Sequence, residues 1–143
     1  MRIIAYTTIF AIAVMTASAA PLRAETKELK ADLTAAMEVP PNTSKAAGSA
    51  NMNYDTITKK LTYTITAAGL TGPATGAHFH GPADAGKNAA IVLPIPVSAA
   101  EMTGTATLTI AQEADLRAGK WYVNVHTDVN KSGEIRGQVV PSK

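Results

Sequence analysis

The chain of 143 residues contains no cysteine. It can therefore form no disulfide, and its stability has to come from an ordinary packed core instead of the cross-links that many small exported domains use. The lack of thiolates also restricts any transition-metal site to histidine, carboxylate or methionine ligands. The sequence thus excludes a disulfide scaffold and a cysteine-based zinc module.

Long apolar runs are missing except for one that follows Met1 and Arg2 and ends in the small residues at positions 17–20. A positive start, an apolar middle and a small-residue cleavage site are the layout of a secretory signal peptide. The run is shorter than the ~20 residues that a membrane-spanning helix needs. We predict a signal peptide over residues 1–24, cleaved after Ala19 or Ala24, and a periplasmic or secreted mature protein without a membrane span.

The expected mature chain also lacks an excess of either charge. The whole sequence has 13 Lys and Arg residues against 11 Asp and Glu residues. Cleavage after Ala24 removes Arg2, Arg23 and no acidic residue, which leaves 11 basic residues against 11 acidic ones. A neutral domain has no electrostatic basis for binding nucleic acid, so we expect no nucleic-acid partner.

Several signatures of catalysis are absent as well. The chain has no Gly-x-Ser-x-Gly turn, no glycine-rich phosphate loop and no cysteine nucleophile, and no Ser, His and Asp set stands out. We therefore favour a non-enzymatic role and leave open whether the chain catalyses a reaction.

The sequence does contain a series of short segments in which apolar and polar residues alternate. In LTYTIT (61–66), Leu61, Tyr63 and Ile65 share one face and three threonines share the other, which is typical of a strand covered on one side. Glycine and proline turns separate this segment from similar ones at 29–34, 50–55, 103–110, 121–126 and 134–140. We predict seven or eight antiparallel strands in a β-sandwich or Greek-key barrel, with one helical turn over 112–118 that Gly119 ends.

Only three histidines occur in the chain, and two of them, His78 and His80, flank Phe79. The third, His126, ends a segment whose alternate residues Trp, Val and Val form an apolar face over 121–126. Successive side chains of a strand point to opposite faces. If Phe79 and the apolar row face the core, all three imidazoles project from the outer, solvent side. They converge on one site if the two strands lie close together.

Three imidazoles suit Zn(II) or Cu(II), and they leave one position for water, a substrate or a fourth side chain. We predict copper, with zinc as the alternative, because the Irving–Williams order favours copper where cellular metal control does not protect an exported site. The other interpretation is that these histidines are ordinary polar residues on the surface of two strands.

Four charged residues near these segments have candidate roles. Glu38 precedes two prolines and either supplies a carboxylate to the metal or caps a turn, and we favour the turn. Asp128 can accept a hydrogen bond from the imidazole N–H of His126 and so orient the ring. Glu134 and Arg136 are expected to share one face of the last strand as an exposed ion pair, worth at most about 1 kcal/mol.

Four motifs in the chain resemble those of one known family. They are MEVPP (37–41), TGAHFHGPA (75–83), LRAGKWYVNVHT (116–127) and GEIRGQ (133–138). Together they make residues 27–140 similar to a CHRD domain, named for its occurrence in chordin and widespread in bacterial exported proteins. The resemblance implies an antiparallel Greek-key β-sandwich of immunoglobulin-like or Cu/Zn superoxide dismutase-like type. In chordin-type proteins the domain accompanies growth-factor binding, but the other chordin modules are absent here.

The strand that carries His78 and His80 also resembles the copper strand of Cu/Zn superoxide dismutase. The chain lacks the disulfide cysteines and the additional zinc-loop histidines of that enzyme. These departures argue against dismutase activity and leave copper binding open.

Three hypotheses follow from the sequence. The first is an exported, non-enzymatic domain that binds copper through His78, His80 and His126 for copper sequestration, delivery or tolerance. The second is an interaction module that recognises a protein or an envelope component, or pairs with a second copy of itself, without metal. The third is a redox enzyme that uses the same histidines with copper.

Overall fold

Each of the alternating segments contains a strand, although some strand boundaries differ from the predicted ones. The computed structural model describes residues 25–99 and 101–142, so the predicted signal peptide lies outside the described residues. Over these residues the strands are β1 (Thr26–Thr34), β2 (Ala47–Asp55), β3 (Lys60–Ala68), β4 (Ala74–His80), β5 (Ile91–Pro94), β6 (Glu101–Thr107), β7 (Tyr122–Thr127), β8 (Ile135–Gln138) and β9 (Val140–Pro141). A 3-10 turn (Ala35–Met37) follows β1, and the helix α1 (Ile110–Arg117) separates β6 from β7.

All the strands belong to one hydrogen-bonded sheet. Its order is β5-β4-β7-β8-β1-β2-β3-β6, every neighbouring pair is antiparallel, and β9 pairs with β1. The sheet curls over its own core, so that Tyr63 of β3 and Phe79 of β4 meet with their ring centroids 5.2 Å apart. The all-β, antiparallel class with one short helix is confirmed, and the two-layer Greek-key sandwich stays a prediction.

The inner face of the curled sheet is a continuous apolar core. Its residues come from the alternate positions that the sequence marks as apolar, so Leu61, Tyr63 and Ile65 of β3 are all buried. Trp121 and Phe79 are fully buried beside them, with ring centroids 5.9 Å apart. Burying a large aromatic or aliphatic side chain contributes roughly 1.5–3 kcal/mol, so this core supplies the stability that disulfides cannot.

The boundary between β6 and α1 differs from the predicted one. The alternation of 103–110 extends the predicted strand to Ile110, but β6 ends at Thr107 and α1 already begins at Ile110. The reason is a capping box: Thr109 Oγ1 accepts from Gln112 N, and Gln112 Oε1 accepts from Thr109 N. Gly119 follows the helix with φ +71°, which confirms its predicted role in ending it.

The predicted surface ion pair between Glu134 and Arg136 is wrong. Both side chains are buried, and each has its own partners because β8 lies inside the curled sheet with a strand on either side. The Glu134 carboxylate accepts hydrogen bonds from Ser44 and Thr71, which lie on two different connections, and from Thr127 at the end of β7. Although burial raises the pKa of Glu134, these hydrogen bonds outweigh it and lower the pKa to about 2.

Within the described residues, no helix is long and apolar enough to cross a lipid bilayer. The longest, α1, has eight residues.

Replacing Glu134 with Gln should lower the free energy of unfolding by about 3 kcal/mol, because an amide cannot accept from all the donors around it. Since the folded pKa is below the ordinary 4.5, the carboxylate stabilises the fold above pH 4.5, and this contribution is lost as the pH falls toward 2. Urea unfolding of both proteins across this range should show the difference shrinking. The exposed Glu28→Gln is the control, and an equal loss there would contradict the account.

Candidate metal centre

The pairing of β4 with β7 brings the three histidines together. In its antiparallel register Gly76 lies opposite His126, and His78 lies opposite Asn124. His80, two residues after His78, lies opposite Tyr122, so the imidazoles share one face of the two strands. The other face carries Phe79 and its neighbours into the core. The convergence expected from the sequence is present in the structure.

The histidine face is not the open solvent face that the alternation predicts. His80 is only 9% exposed, and His78 and His126 are half-buried. The connection from β4 to β5, residues 81–90, folds back over this face, and we call it the strap. The carbonyl oxygen of Ala89 in the strap lies 3.0 Å from Nδ1 of His80. The sequence gives the direction of the side chains correctly but does not show that a loop covers them.

The ligand atoms of the three histidines all lie within 4.8 Å of one another. Nδ1 of His78 is 3.2 Å from Nε2 of His126. Nε2 of His80 and Nε2 of His126 lie 3.1 Å and 3.0 Å from the same atom, Oδ1 of Asn124. The Asn124 oxygen therefore contacts one nitrogen of His80 and one of His126. The third ring, His78, joins this group through its contact with His126.

Hydrogen bonds to backbone carbonyls determine which nitrogen carries the proton in two of the three rings. Nδ1 of His80 donates to the carbonyl of Ala89, and Nδ1 of His126 donates to the carbonyl of Lys131, each at 3.0 Å. A neutral imidazole has one N–H, so the lone pair of each ring must be on Nε2. Both lone pairs point into the cluster. A carbonyl on the far nitrogen is the arrangement that commonly orients metal-ligating histidines.

Burial favours the neutral form of two of the rings, those of His78 and His80. It lowers the pKa of His78, and repulsion from His126 and His80 lowers it further. Burial also lowers the pKa of His80, against the hydrogen bonds to Ala89 and Asn124, which favour the protonated ring. Protons therefore compete less strongly with a metal ion for the nitrogens of His78 and His80 than for those of an ordinary histidine.

Gly76 makes room for the cluster. A Cβ at this position would lie 3.3 Å from Cε1 of His78 and 3.7 Å from Cδ2 of His126. Any side chain there would push against the rings that it now supports, so the glycine sets how closely these two imidazoles approach.

The two acidic candidates occupy different positions. Glu38 is buried beside Asn124 and Gly133, and the converging ligand atoms of the cluster do not include its carboxylate. Burial raises the pKa of Glu38, while the charge of Arg136 and the amide of Asn124 lower it. Asp128 is exposed, and the Lys131 carbonyl makes the contact with Nδ1 of His126 that we expected from Asp128.

Three further residues belong to the site: Asn124 and Tyr122, which have no role in the sequence prediction, and Arg136, which was predicted only as part of an ion pair with Glu134. Asn124 lies between two imidazoles, Tyr122 stacks on His80 at a centroid distance of 4.7 Å, and Arg136 covers the other side of Tyr122 at 3.4 Å. Arg136 also donates to Asn88 Oδ1 and to the Lys87 carbonyl in the strap. The alternation of 121–126 already places Tyr122 and Asn124 on the face of His126, which is the signal that could have found them.

Comparison with known proteins agrees with the motifs. The family model of the CHRD domain matches residues 29–139, which is most of the chain. No curated protein and no solved structure matches significantly. The match includes the whole of β4, β7 and β8, and therefore every residue of the histidine cluster. The chain belongs to the CHRD domain family.

Proposed function

We propose that this CHRD domain is an exported protein that binds one transition-metal ion through His78, His80 and His126. Copper is the preferred ion and zinc the alternative. The role that fits a site of this kind, in a chain without recognisable catalytic motifs, is copper sequestration, delivery or tolerance.

The observation that carries the proposal is the fixed orientation of His80 and His126. Their N–H groups are held by backbone carbonyls, so both Nε2 lone pairs are directed at one point without any further rearrangement. Nitrogen ligands at ~2.0 Å from a tetrahedral ion lie about 3.3 Å apart. The separation of 3.2 Å between Nδ1 of His78 and Nε2 of His126 is close to that value. The ligand atoms of the three histidines all lie within 4.8 Å of one another, so the rings would close around the ion to complete the set.

Copper is preferred over zinc for chemical reasons. The ligands are neutral imidazoles, which suit both ions, and the Irving–Williams order places Cu(II) above Zn(II) for the same nitrogen set. Without a thiolate, the site has nothing that selects zinc over copper.

Export supports the biological role. The first 24 residues have the charge, the apolar run and the small residues of a signal peptide. A periplasmic or secreted location exposes the domain to metal that cytoplasmic buffering does not control, and there a binding protein limits free copper.

The direct test is a titration of the untagged, processed, metal-free protein with Cu(II), Cu(I) and Zn(II) against a competing chelator. We expect one copper per chain, bound more tightly than zinc. The His78→Ala/His80→Ala/His126→Ala variant should lose this binding. Micromolar or weaker binding that the triple variant retains would contradict the proposal and favour a metal-free interaction module.

Removing the metal should leave the domain folded, because the imidazoles lie on the face of the sheet opposite the apolar core. We expect the chelator-treated protein to show a cooperative thermal transition. Stoichiometric copper should raise the midpoint, since a ligand that binds only the folded state stabilises it by RT ln(1 + [L]/Kd). A metal-free sample without a cooperative transition, followed by circular dichroism, would refute this.

A further inference from the structure

The side chain of Asn124 lies where the imidazoles of His80 and His126 converge, and its oxygen contacts a ring nitrogen of each. With Nδ1–H of His80 and of His126 committed to backbone carbonyls, both Nε2 atoms carry lone pairs. The atom they face, Oδ1 of Asn124, is also an acceptor, at 3.1 Å and 3.0 Å. No hydrogen is available between these atoms in the neutral state. A cation bound among these three acceptor atoms, either a proton or a metal ion, would satisfy all of them.

Rotating the amide of Asn124 would not remove this conflict. Nδ2 of Asn124 and Oε1 of Glu38 both lie against Gly133, at 2.9 Å and 2.2 Å from the position that a Cβ would take there. The amide group therefore lies near the buried carboxyl group and lowers its pKa slightly, although burial raises the pKa overall. A flipped amide would turn its oxygen toward the carboxyl oxygens of Glu38, an arrangement that is unfavourable when Glu38 is ionised.

Glu38 itself is held in an unusual state. Its side chain is 5% exposed, and Oε1 has no hydrogen-bond partner among the described residues. A buried carboxylate that lacks a full set of donors costs stability. The charge of Arg136, which acts on the carboxylate, offsets only part of this cost. A positive ion bound on the far side of Asn124 would interact favourably with the same carboxylate.

We infer that Asn124 Oδ1 is the fourth ligand of the metal ion, and that Glu38 positions it through the amide group. This inference rests on the proposed function and adds to it a preference for Cu(II) over Cu(I). An amide oxygen is a hard ligand that suits Cu(II) and Zn(II), whereas Cu(I) is satisfied by imidazoles or soft sulfur ligands. The site is therefore built to hold the oxidised ion, and Asn124 is the residue that discriminates Cu(II) from Cu(I).

The test compares Cu(II) and Cu(I) affinities of the untagged protein with those of Asn124→Leu. Loss of the oxygen should weaken Cu(II) binding about 10–100-fold, the usual effect of removing a group that supports a metal site. Cu(I) affinity should change by less than about threefold, because an amide oxygen contributes little to a soft ion. The matched control is Gln138→Leu, which also removes a partly buried amide, one that donates to the carbonyls of Ala83 and Gly119.

A pair of isosteric variants tests the role of Glu38. Glu38→Gln alone should weaken Cu(II) binding, because a neutral partner no longer fixes the amide. The double variant Glu38→Gln/Asn124→Asp should restore Cu(II) binding. One carboxylate oxygen of residue 124 then faces the imidazoles, and its other oxygen accepts from the amide of residue 38 on the buried side. The added charge on the ligand should change the parallel hyperfine splitting of bound Cu(II) in the electron paramagnetic resonance spectrum.

The outcomes separate this inference from the proposed function. If the parent binds copper, the triple histidine variant does not, and Asn124→Leu has the parent's Cu(II) affinity and spectrum, then Asn124 is not a ligand and only this inference fails. If Asn124→Leu does not fold, an unchanged spectrum in Glu38→Gln/Asn124→Asp overturns the inference equally. Weak copper binding by the parent overturns both.

Discussion

The register in which β4 pairs with β7 is the constraint on which the site depends. Because side chains alternate along a strand, a shift of one residue would move His78 and His80 into the core and carry Phe79 outward. Burial of Phe79 against Tyr63 and Trp121 prevents such a shift. The apolar core thus fixes the positions of the imidazoles, although it touches the opposite face of the strands.

Around this register, buried charges hold the loops that cover the site. Arg136 donates to Asn88 and to the Lys87 carbonyl of the strap, while it stacks on Tyr122. Glu134 accepts from Ser44, Thr71 and Thr127 and so holds two connections against the end of β7. Both residues belong to one short segment of the chain, so β8 and the residue before it organise the surroundings of the histidines without contributing a ligand.

The sequence predicted the strands and the direction of the histidines because both follow from local alternation. It also showed the family through motifs that span nearly the whole domain, and the family model confirms this. Alternation gives no information about loops that return from elsewhere, so the burial of His80 under the strap was missed. The ion pair assigned to Glu134 and Arg136 failed for the same reason, since their partners lie on segments distant in sequence. The role of Asn124 depends on hydrogen-bond directions that only coordinates supply.

The central claim is that one metal ion lies among the three imidazoles and the Asn124 oxygen. The most direct measurement is a crystal structure of the copper-loaded protein with anomalous data collected at the copper absorption edge. The account predicts a single strong anomalous peak per chain, with nitrogen atoms of His78, His80 and His126 and Oδ1 of Asn124 about 2.0–2.2 Å from it. A peak at another surface, or none in a folded, copper-treated crystal, would contradict the account.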